Sequence, residues 1–329
     1  LDLFPFRNNL SYYAIDLDMV SRDKPDLINN LFTEIMTLLR DGKLKPLPFK
    51  KFPATGVIDA FRFMAQRKNI GKVVISMDAS ESAASVDTEN TLVKQDAAYL
   101  ITGGLGALGL LVAEWLAEKG AGHIILISRS KPSDEISESL KTLQKTGSKI
   151  TLAIGDVTDT AQLSNVLNDI AKKKIKIRGI LHCAGVLDDH AFLLMTRESL
   201  HKVMLPKIHG SWNLHYLTAD YPLDFFVLFS SVAAVVGNPG QSNYAAANLF
   251  MDALADYRKS RGLKALSVNW GYWEETGMTA DNAGGTRGLS IKGTGKIPAA
   301  DGLQILDRLL ARNAARSVVA SVDWPSPNS

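Results

Sequence analysis

Residues 98–109 read Ala98-Tyr99-Leu100-Ile101-Thr102-Gly103-Gly104-Leu105-Gly106-Ala107-Leu108-Gly109, and this stretch decides the fold. It predicts a buried strand over 98–102, a glycine turn, and a helix over 107–119. Glycines let the backbone turn tightly and approach a phosphate, while the helix N-terminus offers free N–H groups. A merely tight turn is the alternative interpretation. We predict that the turn binds a phosphate-bearing cofactor through Gly103, Gly104, Leu105, Gly106 and Leu108.

Apolar strands alternate with amphipathic helices along the chain after this turn. The pattern predicts strands at 123–128, 150–154, 178–182, 224–230, 265–269 and 317–322, with helices that include 134–146, 160–173, 197–217 and 242–261. Such alternation is typical of a parallel sheet with helices on both faces. We therefore expect an α/β fold with a Rossmann-like, doubly wound sheet.

The chain is predicted to contain three segments. Residues 1–77 form a small α/β segment, with helical patterns over 27–39 and 56–66, a proline-punctuated turn at 46–53 and a strand at 73–75. Residues 78–95 are rich in Ser, Ala, Asp and Glu without periodicity, which indicates a linker. Residues 96–329 form the catalytic domain. Because the chain starts at Leu1 rather than Met, we expect a piece of a longer polypeptide.

Composition favours an ordinary globular protein. The chain has 329 residues, 46% of them hydrophobic and 22% charged, with a net charge of +3. The run Lys172-Lys173-Lys174 is predicted to be a solvated helix end rather than a nucleic-acid patch. Cys183 is the single cysteine, so no intrachain disulfide can form. No signal peptide and no apolar stretch near the roughly 20 residues of a membrane span is visible. We expect a cytoplasmic location, no membrane or nucleic-acid partner, and no metal site.

The second predicted strand ends in Ser128-Arg129-Ser130, about 20 residues after the glycine turn. An NAD enzyme usually has an acidic side chain there, which holds the ribose 2′-hydroxyl. A cation flanked by hydroxyls suits a 2′-phosphate instead, so the pattern predicts NADPH. The alternative is an ordinary surface arginine.

The ends of the next two strands also point to the cofactor. Asp156, followed by Val157, could accept a hydrogen bond from the adenine amino group, or could simply cap the next helix. At Cys183-Ala184-Gly185 small residues let the backbone pass close to the cofactor. Cys183 is interpreted as a small packed residue and not as a nucleophile.

A polar trio is predicted to face the cofactor. Tyr244 and Asn248 are one helical turn apart and share a helix face. Ser231 closes the apolar run 225–230, which is typical of a buried parallel strand. Ligands of doubly wound folds collect at the carboxyl ends of such strands. A strand-end hydroxyl and a helix-borne phenol can therefore point into one crevice.

Several motifs in order resemble the ketoreductase domain of modular polyketide synthases, within the short-chain dehydrogenase/reductase superfamily. They are the turn 102–109, His182-Cys183-Ala184-Gly185-Val186-Leu187-Asp188-Asp189, Pro206-Lys207-Ile208-His209-Gly210, the segment 231–248 and Asn269-Trp270-Gly271. Residues 1–77 resemble the C-terminal tail of a polyketide synthase enoylreductase. Simpler superfamily members carry a lysine four residues after the tyrosine. Here Asn248 stands there and Lys207 supplies the lysine, an exchange that is also found in polyketide ketoreductases.

The resemblance implies reduction of a β-ketoacyl thioester, carried on the phosphopantetheine of an acyl carrier protein among neighbouring synthase domains, by NADPH. It implies that Tyr244 donates the proton and that Ser231 holds the carbonyl oxygen. We expect the Lys207 ammonium to lower the pKa of the phenol. Asn248 is expected to fix Lys207 or an ordered water. A non-catalytic structural domain and a reductase that also epimerises the α-substituent are the alternatives.

The resemblance also implies the stereochemistry of the product. The so-called B-type residues are matched, and Val236 stands where A-type enzymes carry a tryptophan; the matching residues are Leu187, Asp188, Asp189, Pro239 and Asn243. A 3R (D) hydroxyl is expected. The glycine- and threonine-rich segment 273–298, which contains Met278, is predicted to be a mobile lid over the substrate, or else a variable surface loop.

Overall fold

The structure is a computed structural model that describes residues 15–67, 70–76, 92–274, 294–312 and 314–322. The chain divides into two compact units, Leu1–Ser85 and Val86–Ser329. The division falls within residues 78–95, the segment predicted as a linker. Across the described ranges, no helix combines the length and the apolar character that crossing a membrane requires.

The described part of the first unit contains three α-helices and a two-stranded parallel sheet. These elements are α1 (Leu17–Asp23), α2 (Pro25–Arg40), β1 (Phe49–Pro53), α3 (Val57–Ala65) and β2 (Lys72–Ser76). The helical patterns over 27–39 and 56–66 and the strand at 73–75 are confirmed. The turn predicted over 46–53 is wrong at 49–53, which forms β1. Pro53 is the last residue of this strand, which is an edge strand of a two-stranded sheet, where proline is tolerated.

The second unit is an alternation of strands and helices. Its strands are β3 (Ala98–Thr102), β4 (His123–Ser128), β5 (Lys149–Ile154), β6 (Ile177–His182), β7 (Phe225–Ser231), β8 (Leu266–Trp270), β9 (Tyr272–Trp273), β10 (Thr294–Ile297), β11 (Arg316–Val319) and β12 (Ser321–Val322). Its helices are α4 (Ala107–Glu118), α5 (Asp134–Gln144), α6 (Thr160–Lys172), α7 (Arg197–Leu217), α8 (Ala233–Val236), α9 (Ser242–Ser260) and α10 (Ala299–Leu310).

Seven of these strands form one parallel sheet in the order β11-β8-β7-β6-β3-β4-β5. This order confirms the Rossmann-like doubly wound fold. The chain winds outward from β3 to β5 and then crosses back to β6, which pairs with β3 through Thr102 and His182. Ligands bind at such a reversal of strand order, beyond the carboxyl ends of the strands. The fold therefore places its crevice beside the glycine turn.

The last predicted strand, 317–322, is two strands in the structure. β11 adds to the edge of the large sheet, whereas β12 pairs antiparallel with β10 in a separate small sheet, β12-β10-β9. Pairing between segments that are distant in sequence leaves no local periodicity. The small sheet was therefore missed.

Two apolar clusters cover the two faces of the large sheet. One contains Trp115, Leu116 and Leu306 from α4 and α10 against β3, β4 and β7. The other contains Leu163 from α6 and Met251 from α9, packed against the opposite face. All five residues of β3 are buried. Burial on both faces explains why the strands are continuous apolar runs.

The turn after β3 needs glycine because other backbone segments pass very close to it. Gly103 has φ of +67°, and a Cβ at this position would lie 2.9 Å from the Ala184 Cα. A Cβ on Gly109 would lie 2.3 Å from the Gly103 carbonyl oxygen. Either substitution would force the turn open, because the conflicting atoms are backbone atoms. The sequence places glycine where no side chain fits.

Candidate active site

A cleft of about 440 Å³ opens at the carboxyl ends of β3, β4, β5 and β6. Twelve of the thirteen predicted cofactor residues line it: Gly103, Leu105, Gly106, Leu108, Ser128, Arg129, Ser130, Asp156, Val157, Cys183, Ala184 and Gly185. The N-terminus of α4 opens on the cleft, and its N-cap, Gly106, has no side chain to occupy the free N–H groups. The cleft therefore offers what a phosphate needs.

Gly104 is the exception among the predicted cofactor residues. It packs on β4, where a Cβ would lie 2.8 Å from the Leu126 Cβ, and its N–H donates to Ile127 O at 3.1 Å. It does not line the cleft. Its glycine is needed for contact between the turn and the neighbouring strand.

Two cations stand at the outer end of the cleft. Arg129 is exposed and lines it, as predicted, and Ser128 Oγ accepts a hydrogen bond from Ser130 N at 3.4 Å. Lys131 also lines the cleft and was missed, because the cofactor argument used only the residue that replaces the usual acid. The adjacent charges make this end of the cleft suited to a phosphate dianion.

Asp156 does not cap the following helix. Asp159 is the N-cap of α6, with Oδ1 accepting from Ala161 N and Gln162 N at 2.9 and 3.1 Å. Asp156 Oδ1 accepts from Thr158 N at 2.8 Å, in an Asx turn that directs the carboxylate along the wall of the cleft. The capping alternative is therefore wrong, and contact with adenine stays a prediction.

A buried histidine connects the cleft to the helix that carries the lysine. His182 Nδ1 lies 2.7 Å from Thr102 Oγ1, and Nε2 lies 3.1 Å from Pro206 O. A carbonyl only accepts, so Nε2 carries the hydrogen and Nδ1 accepts from the threonine. Burial and the neighbouring Lys207 charge lower the pKa of His182 to about 3, so the ring is neutral. It joins β3, β6 and α7.

Lys207 is buried beside the cleft, 3% exposed. Its ammonium donates to Phe229 O at 3.0 Å and lies 5.3 Å from the centroid of the Tyr244 ring. Burial lowers the pKa of Lys207 to about 8, against the opposing effects of Cys183 and Asp252. The lysine is thus charged at neutral pH and close to losing its proton in mildly alkaline solution.

The phenol of Tyr244 is held in its protonated form. Burial raises the pKa of Tyr244, while hydrogen bonding with the side chains of Asn248 and Ser231 lowers it less strongly. The pKa is raised overall because the loss of hydration outweighs the attractive interactions, and the lowering effect expected of Lys207 stays a prediction. A buried phenol of this kind is suited to donate a proton.

Ser231 and Asn248 flank the phenol. Ser231 Oγ accepts from Ala233 N at 3.2 Å, and its hydroxyl also hydrogen-bonds the Tyr244 phenol. Asn248 Nδ2 donates to Tyr244 O at 2.8 Å, and Asn248 Oδ1 has no hydrogen-bond partner among the described residues. The amide does not bond Lys207. Asn248 was expected to fix either Lys207 or an ordered water. The geometry favours the second role, in which Oδ1 accepts from a water.

The two predicted stereocontrol segments are joined to each other. Asn243 Nδ2 donates to Asp188 O at 2.9 Å, and Gln241 Nε2 donates to Asp189 Oδ2 at 2.8 Å. A backbone bond, His190 N to Gly240 O at 2.9 Å, adds a third link. The segments form one wall beside Tyr244, since Asn243 Oδ1 also accepts from Tyr244 N. We call these three links the stereocontrol wall.

The remaining predicted substrate residues are placed as follows. Leu187 is half-buried after the cleft residues, and Pro239 is exposed between the bonded residues of the wall. Val236, at the A-type tryptophan position, is exposed at the end of α8. Met278 and most of the predicted lid segment lie outside the described residues. Tyr272, which the sequence did not single out, acts electrostatically on the Tyr244 phenol.

Cys183 agrees with its interpretation as a packed residue. Burial raises the pKa of the Cys183 thiol, so the reactive thiolate is suppressed. Within the described ranges, no group of three or more His, Cys, Asp and Glu side chains could hold a metal ion.

Both units match known protein families. Residues 97–275 match the KR domain family, and residues 2–75 match the zinc-binding dehydrogenase family. The second match agrees with the resemblance of the N-terminal segment to the tail of an enoylreductase.

Similar curated proteins are polyketide synthases. A phenolphthiocerol/phthiocerol polyketide synthase polypeptide of Mycobacterium tuberculosis is 37% identical over 325 residues, which cover 98% of this chain and 14% of that protein. A mycocerosic acid synthase-like polyketide synthase of Mycolicibacterium smegmatis is 39% identical over 298 residues, covering 88% of this chain and 14% of that protein. The chain spans about one seventh of the length of these relatives.

Similar solved structures are ketoreductases. A ketoreductase domain from the bacillaene assembly line covers 94% of this chain and 85% of its own, with 27% identity and a TM-score of 0.67. A structure of A-type ketoreductases from a modular polyketide synthase covers 69% of this chain and 48% of its own, with 38% identity and a TM-score of 0.65. With its family match, its strand order and its cleft, the chain belongs to the KR domain family, the nicotinamide-dependent ketoreductase domains of polyketide synthases.

Proposed function

We propose that this chain reduces the β-carbonyl of an acyl thioester, carried by the phosphopantetheine of an acyl carrier protein, with NADPH as the reductant. The observation that carries the proposal is the setting of Tyr244. A protonated, buried phenol lies with Ser231 and Asn248 beside it and the Lys207 ammonium 5.3 Å from its ring centroid. Lys207 lies in turn near Cys183, which lines the cofactor cleft.

The side chains around Tyr244 determine how protons move during the proposed reaction. As a bound ketone gains hydride, its oxygen becomes alkoxide-like, and donors aimed at that charge stabilise the transition state. Ser231, whose hydroxyl hydrogen-bonds the phenol, donates to this oxygen once the substrate is bound, and Tyr244 transfers its proton to the same oxygen. Lys207, charged at neutral pH, stabilises the phenolate that forms. Asn248 Oδ1 accepts from a water that returns a proton to the tyrosine.

NADPH fits the residues of the cleft. The glycine turn has no room for a Cβ at Gly103 or Gly109, so the backbone can approach a phosphate closely. The free N–H groups at the N-terminus of α4 face the same cleft. When bound there, NADPH supplies the hydride. Arg129, Ser128 and Ser130 would hold the 2′-phosphate, with Lys131 as a second cation. Asp156 would accept from the adenine amino group.

Arg129→Asp is expected to weaken NADPH binding by about 10- to 100-fold and to shift preference toward NADH, because a charge-assisted hydrogen bond contributes about 1.5–3 kcal/mol. Kd values for both cofactors, from nucleotide fluorescence titration, measure the shift. Lys141→Asp makes the same charge change on the exposed face of α5, outside the cleft, and should leave both values unchanged. An unaltered NADPH to NADH ratio in Arg129→Asp would remove the 2′-phosphate assignment.

The stereochemical proposal is a B-type, 3R product. It is supported by the stereocontrol wall, in which Asn243 bonds Asp188 and Gln241 bonds Asp189. A wall fixed on one side of the phenol admits the acyl chain from the other side. Similarity to an A-type structure concerns the overall fold, whereas the wall concerns the residues at the reacting carbon.

The proposed reductase function is tested by identifying the alcohol that the protein forms. With a β-ketoacyl N-acetylcysteamine thioester, the protein is expected to consume NADPH and to yield the 3R alcohol, resolved by chiral chromatography. The matched α-methyl substrate, supplied as each epimer with deuterium at the α-carbon, shows any added epimerase activity as loss of deuterium. Absence of NADPH consumption with the thioester and with its carrier-bound form would favour the non-catalytic alternative. A 3S product would refute only the role of the wall.

A further inference from the structure

His182 is a buried imidazole with no role in the reaction steps above. It is 1% exposed and ends β6, and burial with the nearby Lys207 charge lowers its pKa so far that the ring stays neutral. A buried ring with two polar nitrogens is costly unless both are hydrogen-bonded. Both nitrogens are bonded here, and their partners belong to two different parts of the candidate active site.

The Nδ1 side of the ring holds the start of the glycine turn. Nδ1 accepts from Thr102 Oγ1 at 2.7 Å, and Thr102 is the residue paired with His182 where β3 lies beside β6. Thr102 ends β3 and directly precedes Gly103, where a Cβ would collide with Ala184. Cys183 N adds a second bond, to Thr102 O at 3.1 Å. The imidazole therefore helps to fix the residue from which the glycine turn departs.

The Nε2 side of the ring holds the turn of α7 that carries Lys207. Nε2 donates to Pro206 O at 3.1 Å, and this carbonyl directly precedes the lysine in the chain. The ring also lies against the next turn of the helix, where a Cβ on Gly210 would be 3.1 Å from the His182 Cε1. Glycine at this position leaves the space that the imidazole occupies.

The helix alone fixes this turn less firmly than usual, because Pro206 lies inside α7. A proline has no N–H, so one hydrogen bond of the helix is missing at this position. His182 supplies a bond from outside the helix to the carbonyl of the same residue. From this turn the Lys207 ammonium reaches Phe229 O at 3.0 Å and lies 5.3 Å from the Tyr244 ring centroid. A shift of the turn would therefore move the ammonium relative to the phenol.

We propose that His182 is a positioning residue, which aligns the glycine turn with the lysine-bearing turn of α7. Its two partners, Thr102 and Pro206, both line the cofactor cleft, so the rigid ring between them sets their spacing. The bound cofactor and the Lys207 ammonium are in this way kept at a fixed distance from each other. The inference deepens the proposed function and rests on it, since it concerns the lysine that stabilises the phenolate.

Two substitutions separate the two nitrogens. The side-chain oxygen of Asn can replace Nδ1 as the acceptor for Thr102, but the Asn side chain is too short to reach Pro206 O. The amide nitrogen of Gln extends as far as Nε2 and can donate to Pro206 O in its place.

His182→Asn is expected to lower kcat by about 10- to 100-fold, the effect of a small misplacement of a catalytic group, with the Kd for NADPH nearly unchanged. His182→Gln should keep kcat nearly unchanged and raise the Kd for NADPH by about 3- to 10-fold, the effect of one lost hydrogen bond. Thioester turnover and nucleotide fluorescence titration measure the two quantities. Equal losses of both quantities in the two variants, or no loss in either, would overturn the proposal.

A cycle of double variants tests whether the imidazole acts through the lysine. In a Lys207→Met background, His182→Asn should lower kcat no further, because the group that it positions is already gone. Multiplicative losses would contradict the proposal. The matched control is His215→Asn, since His215 is also buried and lies on α7, with its Nδ1 2.9 Å from Arg258 Nη1 and outside the cleft. This control should lower the urea midpoint and leave kcat unchanged.

Amide hydrogen exchange tests the same alignment without any turnover. Exchange of the α7 amides that follow Pro206, in residues 207–211, should be faster in His182→Asn than in the unmodified protein and near normal in His182→Gln. Equal exchange in all three proteins would refute the role of the ring. If His182→Asn does not fold, faster exchange of these amides in His182→Gln would overturn the proposal, and normal exchange would support it. If the exchange pattern is as expected while the unmodified protein reduces no thioester, the proposed function fails and the positioning role stands.

Discussion

Replacing Tyr244 with Phe is expected to lower kcat by about 10²- to 10⁴-fold, the usual contribution of a positioned proton donor. The hydroxyl is the only group removed, and burial holds it protonated where Ser231 and Asn248 can orient it. NADPH oxidation with a β-ketoacyl thioester, followed by absorbance, measures the rate. NADPH affinity, from fluorescence titration, should be unchanged, because the phenol is not among the residues that line the cofactor cleft.

Tyr257→Phe is the matched control for this substitution. Tyr257 lies on the same helix, α9, and its ring packs against Trp212 at 6.2 Å between centroids. Removing its hydroxyl should leave the rate and the cofactor affinity intact. A Tyr244→Phe protein that reduces the thioester at the full rate would show that the proton comes from another group.

Ser231→Ala is expected to lower kcat by about 10²- to 10³-fold, the effect of removing one donor to a developing oxyanion. The physical reason is the position of its hydroxyl. Ser231 Oγ accepts from Ala233 N at 3.2 Å and the hydroxyl hydrogen-bonds the Tyr244 phenol, which places it next to the oxygen that the phenol would protonate. Single-turnover reduction with NADPH prebound separates this loss in the chemical step from any change in product release.

Ser230→Ala provides the contrast, because the two serines are neighbours in the sequence with different partners. Ser230 Oγ donates to Asn248 O and accepts a hydrogen bond from Asn269 Nδ2. It therefore belongs to the buried hydrogen-bond network of Asp252 and Asn269. Its loss should lower the urea midpoint and reduce kcat by less than about tenfold, since each of its two buried hydrogen bonds contributes about 1 kcal/mol to stability and neither reaches the substrate. If Ser230→Ala lost more rate than Ser231→Ala, Ser230 and not Ser231 would be the serine that holds the substrate oxygen.

The fold was largely predictable because its signals are local. Apolar runs such as 225–230 need no distant partner to be recognised, and strand-helix alternation restricts the topology. The carboxyl ends of parallel strands then bring Thr102, Ser128, Asp156 and Cys183 to one edge without further information. The small sheet of β9, β10 and β12 was not predictable in the same way, because its pairing depends on how distant segments meet.

The parts of the site that were missed depend on burial. Asp252 lies within a helical sequence, where a lone acid is usually a solvated residue. Only packing reveals that it is enclosed and hydrogen-bonded to β8. The rise of the Tyr244 pKa on burial was not foreseen for the same reason. A sequence reveals that an ammonium is available, but not how much water the fold removes from the phenol.

The stereocontrol wall has a consequence for attempts to exchange handedness between related reductases. Its two halves come from separate segments, the loop after β6 and the start of α9 with its N-cap, yet the Asn243–Asp188 and Gln241–Asp189 bonds make each half the hydrogen-bonding complement of the other. Transplanting one segment alone would leave donors or acceptors without partners on the segment that is kept. A chimera that inverts the alcohol cleanly therefore has to inherit both segments from the same parent.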